Sequence, residues 1–372
     1  MPAQVIFVQN SVHLAGAQKS LSRLLTATAM QEHSPILLTG HRGWLTEHCD
    51  SHHVPWVQLP FPASRSLRGR LWGNLLFSKK AARMLRDRLS PDCPVIIHTN
   101  DHPDSLLGLA LARQLDALPV LTLRTPGMNQ RDFDKYHCGI HAHLIAVGDE
   151  LFNKVRPWLA GQRPLTLVHN GVTEEEILTP SSQPSEPMDR LLVLGSIIPR
   201  KGWQDLVEAL LSLESRLPPG SLPEVHFVGD LLGHDPATTL GTERLRRFKV
   251  SFLGVDANYR ERLRQYALAV HPSRSESFGM AALECVAAGV PLLAASTGLI
   301  PEFILREGFL FTPQDVPELV SKLEALLKQR LSDIQASFAF DEAHSHIRDR
   351  FSTPGTVRKL KKIYQGLLSS KS

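Results

Sequence analysis

Short apolar, β-branched runs alternate along this chain with longer stretches of helical periodicity. In the first half the runs are QVIFVQN (4–10), SPILLTG (34–40), PVIIHTN (94–100), PVLTLRT (119–125) and HLIAVGD (143–149). Helical patterns separate them at 18–30, 77–89, 104–115 and 150–158. Strand followed by helix followed by strand predicts a parallel sheet with helices on both faces.

A polar, Pro/Ser-rich stretch, TEEEILTPSSQPSEPM (173–188), reads as a linker. The pattern then restarts with RLLVLGS (190–196), EVHFVGD (224–230), KVSFLGV (249–255), YALAVHPS (266–273), GVPLLAAS (289–296) and GFLFTP (308–313), with helices at 203–215 and 259–265 among them. The expected fold class is therefore α/β, with two doubly wound domains at 1–172 and 189–340. Ligands in such sheets bind outside the carboxyl ends of the strands, so two facing domains imply a cleft. Residues 341–372 end in a basic amphipathic helix, expected to return to the first domain.

Length and composition fit that picture. At 372 residues the chain exceeds one ordinary core. Its 42% hydrophobic and 21% charged residues are those of a soluble globular protein. A net charge of +4 suits an anionic substrate, an anionic membrane or nucleic acid, without choosing among them. The four cysteines (Cys49, Cys93, Cys138, Cys285) form no C-x-x-C pair, which favours free thiols in a reducing compartment and no structural metal. No secretory signal opens the chain, and no apolar run approaches the ~20 residues a bilayer span needs. The expected location is the cytoplasm, with at most a surface contact with a membrane.

The chemistry concentrates in HPSRSESFGMAALECVAAGVPLLAAS, His271 to Ser296. With Ser277 as a reasonable N-cap, the N–H groups of Phe278, Gly279 and Met280 would sit at a helix N-terminus, which suits a diphosphate. Glu276 lies just before that end and Glu284 inside the helix; carboxylates grip sugar diols. A nucleoside diphosphate sugar meets all three features. An isolated Glu pair is more often solvated, but Glu284 has small apolar neighbours on every side, and an acid there needs a partner.

These residues resemble the retaining glycosyltransferases of family 4, which have the GT-B architecture of two facing Rossmann-like domains. ESFGMAALE is similar to that family's paired-glutamate motif, LGSIIPRKGWQDLVEALL to its strand, Lys-Gly loop and helix, and VHNGV to its interdomain segment. STGLIPEFI and VHLAGAQKSLSRLL resemble its Pro-Glu turn and its first Gly-rich turn. The resemblance implies that Glu276 holds the donor sugar and Glu284 the ribose. Arg200 and Lys201, with the N–H groups of Phe278, Gly279 and Met280, would neutralise the diphosphate, and Gly16 would allow close backbone approach. It further implies a metal-independent reaction that retains anomeric configuration, with no cofactor and with the nucleotide sugar, UDP-linked by expectation, as a co-substrate.

Two departures stand out. Ser196 occupies a position where relatives often carry Arg, with Arg200 a candidate replacement. Arg124 stands where relatives often have His; it cannot act as a base but can hold phosphate or acceptor. HTND (98–101) offers His98, Asn100 and Asp101 at a strand end. Asp101 would orient or deprotonate an acceptor hydroxyl, or simply cap the next helix.

The segment 65–88 is strongly basic, with Leu, Trp and Phe interleaved and Asp87 its single acid. Lys79, Lys80 and Arg83 are its candidates for contact with an anionic membrane or a lipid-linked acceptor, such as lipopolysaccharide core or a similar surface glycan. No nucleic-acid motif accompanies it. The 17 histidines are dispersed without a metal quartet. Two rivals remain at this point: a nucleotide-sugar epimerase of the same architecture, and a noncatalytic glycan-binding or scaffold member.

Overall fold

Parallel strands arranged on either side of a point where their order reverses are the frame of both halves of the chain. The computed structural model describes residues 3–62, 67–178, 189–218, 220, 222–256 and 259–371. Arg65 of the basic segment and residues 179–188 of the expected linker lie outside them. The chain folds as two units, Met1–Gly171 with Phe351–Ser372, and Val172–Arg350.

The first unit holds β1 (Gln4–Val8), β2 (Ile36–Thr39), β3 (Trp56–Gln58), β4 (Val95–Thr99), β5 (Leu118–Leu123), β6 (His143–Ala146) and β7 (Leu165–Leu167). They form one parallel sheet in the order β3-β2-β1-β4-β5-β6-β7. Neighbouring residues of a strand feed opposite cores, as a two-residue period requires. Val5 and Phe7 pack with Leu21, Leu25 and the C-terminal residues Val357, Leu360, Ile363 and Tyr364. Ile6 and Val8 pack with Phe77, Leu85, Leu107 and Leu111.

The second unit holds β8 (Arg190–Leu194), β9 (Glu224–Val228), β10 (Val250–Gly254), β11 (Leu268–His271), β12 (Leu292–Ala295) and β13 (Leu310–Phe311). These also pair in parallel, in the order β10-β9-β8-β11-β12-β13. The order reverses between β1 and β4 in one sheet and between β8 and β11 in the other, and loops diverge there to leave a crevice at the carboxyl edge.

The structure moves two expected boundaries. Residues 341–350 belong to the second unit, because the helix Phe340–Arg350 buries His344, whose Nε2 lies 2.8 Å from the Val286 carbonyl. The start of the expected linker is also built into that unit. Glu174–Glu176 form a short 3-10 turn closed by Thr173, and Arg260 pairs with Glu176 at 2.6 Å. The helix expected at 77–89 spans Leu67–Arg86 instead. Gly73 lies inside it, where a Cβ would meet Pro62 at 2.9 Å. The helix expected at 18–30 is split at Ala27, which is extended (φ −63°, ψ 126°), into Gly16–Thr26 and Thr28–Gln31.

Candidate functional site

At the carboxyl end of β8 the chain makes the 3-10 turn Pro199–Lys201 and enters the helix Trp203–Glu214 through Gly202. Gly202 is left-handed at φ 64°, and a Cβ would collide with the Pro272 carbonyl, so only glycine lets this loop lie on the loop after β11. The contact is fixed by Arg274 N donating to Arg200 O at 2.8 Å and by a bidentate Arg274–Asp205 pair at 2.9 and 2.6 Å. The two loops thus bring Arg200 and Lys201 to Glu276.

Glu276 is 7% exposed. Its Oε1 receives Lys201 Nζ at 2.5 Å and Ser273 Oγ at 2.8 Å, with His271 Nε2 at 3.3 Å; Arg200 Nη1 lies 3.3 Å from Oε2. Burial works against ionisation of this carboxyl. The Lys201 charge, the His271 hydrogen bond and the Arg200 charge outweigh it and hold Glu276 well below the ordinary carboxylate range. Burial holds His271 below its ordinary value, so its neutral form is favoured. Sequence reasoning missed His271 and Ser273, although HPS stood in the quoted segment.

The helix Met280–Ala287 starts beside this cluster. Ser277 is not its cap: the N-cap is Gly279, left-handed at φ 91°, where a Cβ would press on Ile300 at 2.8 Å. First-turn N–H groups of a helix have no partner within it, so this end presents a partial positive charge. Phe278 and Met280 have buried side chains and can offer only backbone.

Glu284, 4% exposed, receives the Tyr259 hydroxyl on Oε2, and Arg260 Nη2 lies 3.4 Å from Oε1. The partner demanded by its apolar surroundings is therefore present. Arg260 also reaches Glu176, which ties Glu284 to the first residues of this unit. Tyr259 and Arg260 carried no motif signal in the sequence.

In the first unit, Gly16 is not in a loop; it opens the helix Gly16–Thr26, which has no side-chain cap at Ala15. Ser20, on the buried face of that helix, donates to Asn170 Oδ1 at 2.6 Å. Arg124 Nη1 reaches the same Asn170 oxygen at 2.7 Å, and its Nε and Nη2 reach Asn100 Oδ1 at 3.1 and 2.9 Å. Asn100 in turn donates to Gln9 at 2.6 Å. Burial brings Arg124 down to about 10, still far above neutral pH. It is a fixed cation in a shell of amides, not a proton carrier. Asn170 and Ser20 were not foreseen; only a fold that joins residues 150 positions apart reveals them.

Asp101 caps the turn His102–Asp104, accepting from His102 N at 2.8 Å, and it also accepts from Arg124 N and Thr125 Oγ1, each at 3.2 Å. Its neighbour Asp104 is buried and accepts from Asn10 N at 2.8 Å; burial raises it to about 7. His98 faces the core instead of the strand end. Its ring nitrogens lie 2.5 Å from the Tyr364 hydroxyl and 2.7 Å from Thr122 Oγ1, and burial lowers it to about 3. Lys79, Lys80 and Arg83 are exposed on their helix, at neither cluster.

Residues 189–329 match the family model of group 1 glycosyl transferases. The match lies wholly within the second unit. The chain as a whole has the GT-B fold. It is 29% identical over 202 residues to a sulfoquinovosyl transferase of Arabidopsis thaliana, covering 50% of this chain and 36% of that one. It is 27% identical over 235 residues to a D-inositol 3-phosphate glycosyltransferase of Jonesia denitrificans, covering 60% and 51%. The chain thus spans about a third to a half of the length of these relatives. Anabaena HepE, solved with UDP-glucose, superposes with a TM-score of 0.78 over 98% of this chain and 99% of its own, at 18% identity. The matched residues include Glu276, Glu284, Arg200 and Lys201, whereas Arg124 and Asp101 lie outside them. Among the described residues, no group of three His, Cys, Asp or Glu side chains could hold a metal ion, and no helix is long and apolar enough to cross a membrane.

Proposed function

We propose that the chain is a retaining glycosyltransferase that moves a sugar from a nucleoside diphosphate donor, UDP-linked, to a lipid-linked or surface-glycan acceptor such as lipopolysaccharide core. One observation carries the reading: a buried, ionised Glu276 held by Lys201, Arg200, His271 and Ser273, beside the N-terminus of the helix Met280–Ala287. Glu276 is outnumbered by Lys201 and Arg200, so the cluster keeps a net positive charge toward a diphosphate. The same carboxylate accepts sugar hydroxyls near the reacting carbon.

In the reaction, the bond between the anomeric carbon and the diphosphate oxygen breaks, and the nucleoside diphosphate leaves with the electron pair. Arg200, Lys201 and the helix N–H groups stabilise that developing charge without reorganising. The acceptor oxygen attacks from the face the diphosphate leaves, so configuration is kept, and the acceptor proton passes to the departing phosphate. Glu284 holds the ribose diol, with Tyr259 and Arg260 as positioning residues that orient its carboxylate. Arg124, presented by Asn100 and Asn170, binds an anionic or hydroxyl group of the acceptor, and Asp101 orients the acceptor hydroxyl.

The fixed cations take the part that a metal ion plays in other transferases, and no cofactor enters. Lys79, Lys80 and Arg83 point to peripheral work at the inner face of the cytoplasmic membrane. The test is purified protein with radiolabelled UDP-sugars and lipid extract, with and without EDTA. Labelled glycolipid with retained configuration, unaffected by EDTA, is the expected result. Isomerised donor without transfer, or no turnover with any nucleotide sugar, would reject the reading.

A further inference from the structure

The helix Leu67–Arg86 is divided lengthwise. Phe77, Ala81, Ala82 and Leu85 are buried in the core of the first unit. The opposite side carries Trp72 and Leu76, 65% and 64% exposed, with Leu75 at 39%. One to two turns further on, the same stripe carries exposed Lys79, Lys80 and Arg83; at 3.6 residues per turn these positions share one face. Among the described residues these three cations make no ion pair, and the helix sequence contains no acid. Three large apolar side chains together in water mark a surface meant to be covered, and the adjoining cations state the charge of the cover. A protein partner would need matching acids at three spaced positions, whereas an anionic bilayer offers phosphates at any position along the stripe.

We propose that this face docks the first unit on an anionic lipid bilayer. Trp72, Leu75 and Leu76 enter the boundary between headgroups and acyl chains, and Lys79, Lys80 and Arg83 contact lipid phosphates. Gly73 lies against Pro62 in the loop that leaves the carboxyl end of β3. The apolar end of the stripe therefore sits at the carboxyl edge of the sheet, the edge that carries Asp101 and Arg124. An acceptor anchored in that bilayer is delivered to that edge. The purpose of the docking rests on the lipid-linked acceptor proposed above; the docking itself does not.

Flotation with vesicles of phosphatidylethanolamine and phosphatidylglycerol, against pure phosphatidylcholine, tests it. The protein should float only with the anionic vesicles, and its tryptophan emission should shift to the blue, a shift lost in Trp72→Phe. Replacing Lys79, Lys80 and Arg83 together by Gln should weaken binding roughly a hundredfold, at about one kcal/mol per charge. Trp72→Ser with Leu76→Ser should weaken it about tenfold even at low salt. Equal flotation of the triple variant, no flotation of the wild type, or a concentration-dependent dimer abolished by Trp72→Ser would overturn the proposal. A parallel thermal-shift titration with UDP-sugars separates the two readings: flotation without a donor shift sinks the transferase alone, and a donor shift without flotation sinks the docking alone.

Discussion

The two switch points solve one problem, burying a charge, in opposite ways. In the second unit an acid is buried and surrounded by Lys201, Arg200, His271 and Ser273. In the first a cation, Arg124, is held by the amide oxygens of Asn100 and Asn170. A counter-charge and an oriented dipole both offset desolvation, but they leave different residues of charge behind. Cations in excess over one carboxylate suit a diphosphate that arrives and departs. A guanidinium oriented by amides, with the Asp101 carboxylate close enough to favour its charged form, has its geometry set in advance. Under the proposed function, equivalent positions in two similar sheets serve two different ligands.

The comparison can be broken at its strongest point first. Glu276→Gln removes the acid but not its shape. Transfer from UDP-sugar should fall about a thousandfold in kcat, while UDP affinity by titration calorimetry should not fall, because Lys201 and Arg200 are released to the phosphates. Next in size is Lys201→Met, which leaves Glu276 buried with part of its pairing gone. Thermal or urea unfolding should show a loss of about 3 kcal/mol, and a variant as stable as the parent would show that the pair is not structural.

The first unit gives a pH test. His98 is lowered to about 3 in the fold and is ordinary, near 6.5, when unfolded. The unfolded chain therefore binds the extra proton between those values, so the stability from a neutral His98 is complete above pH 6.5 and drains as pH falls toward 3. His98→Asn should flatten that acid limb in urea unfolding. The Glu276 contribution behaves similarly but lies lower: it is present above the unfolded carboxyl value and lost as pH falls through the depressed folded one. The smallest effect is expected for Arg124→Lys. Losing the planar fork between Asn100 and Asn170 should raise the acceptor KM about tenfold, with donor affinity unchanged.

Each apolar run named in the sequence became a strand, because short apolar runs bounded by turn signals leave few alternatives. β3 and β7 were not legible. They are three-residue edge strands, WVQ and LTL, too short for a period to show. The helix Trp44–Ser51 escaped for a related reason: His48, Cys49 and Asp50 blur its apolar stripe. In the site, Glu276 converges with Arg200 and Lys201, 75 positions away from Lys201, and this was legible only through the family motifs that carry them. Partners outside those motifs were not. Asn170 reaching Arg124, Tyr259 reaching Glu284 and His98 turning inward to Tyr364 are properties of sheet register and helix packing, which no single segment encodes.

The clasp between His98 and Tyr364 has a consequence for biosynthesis. The core beneath β1 and β4 is completed by Val357, Leu360, Ile363 and Tyr364, whereas the second unit draws only on residues 172–350. As the chain leaves the ribosome, the unit begun first is the last to be finished, and the intervening unit can fold while it waits. A stalled or truncated product ending before residue 351 should therefore hold a protease-resistant second half attached to an open, chaperone-bound first half.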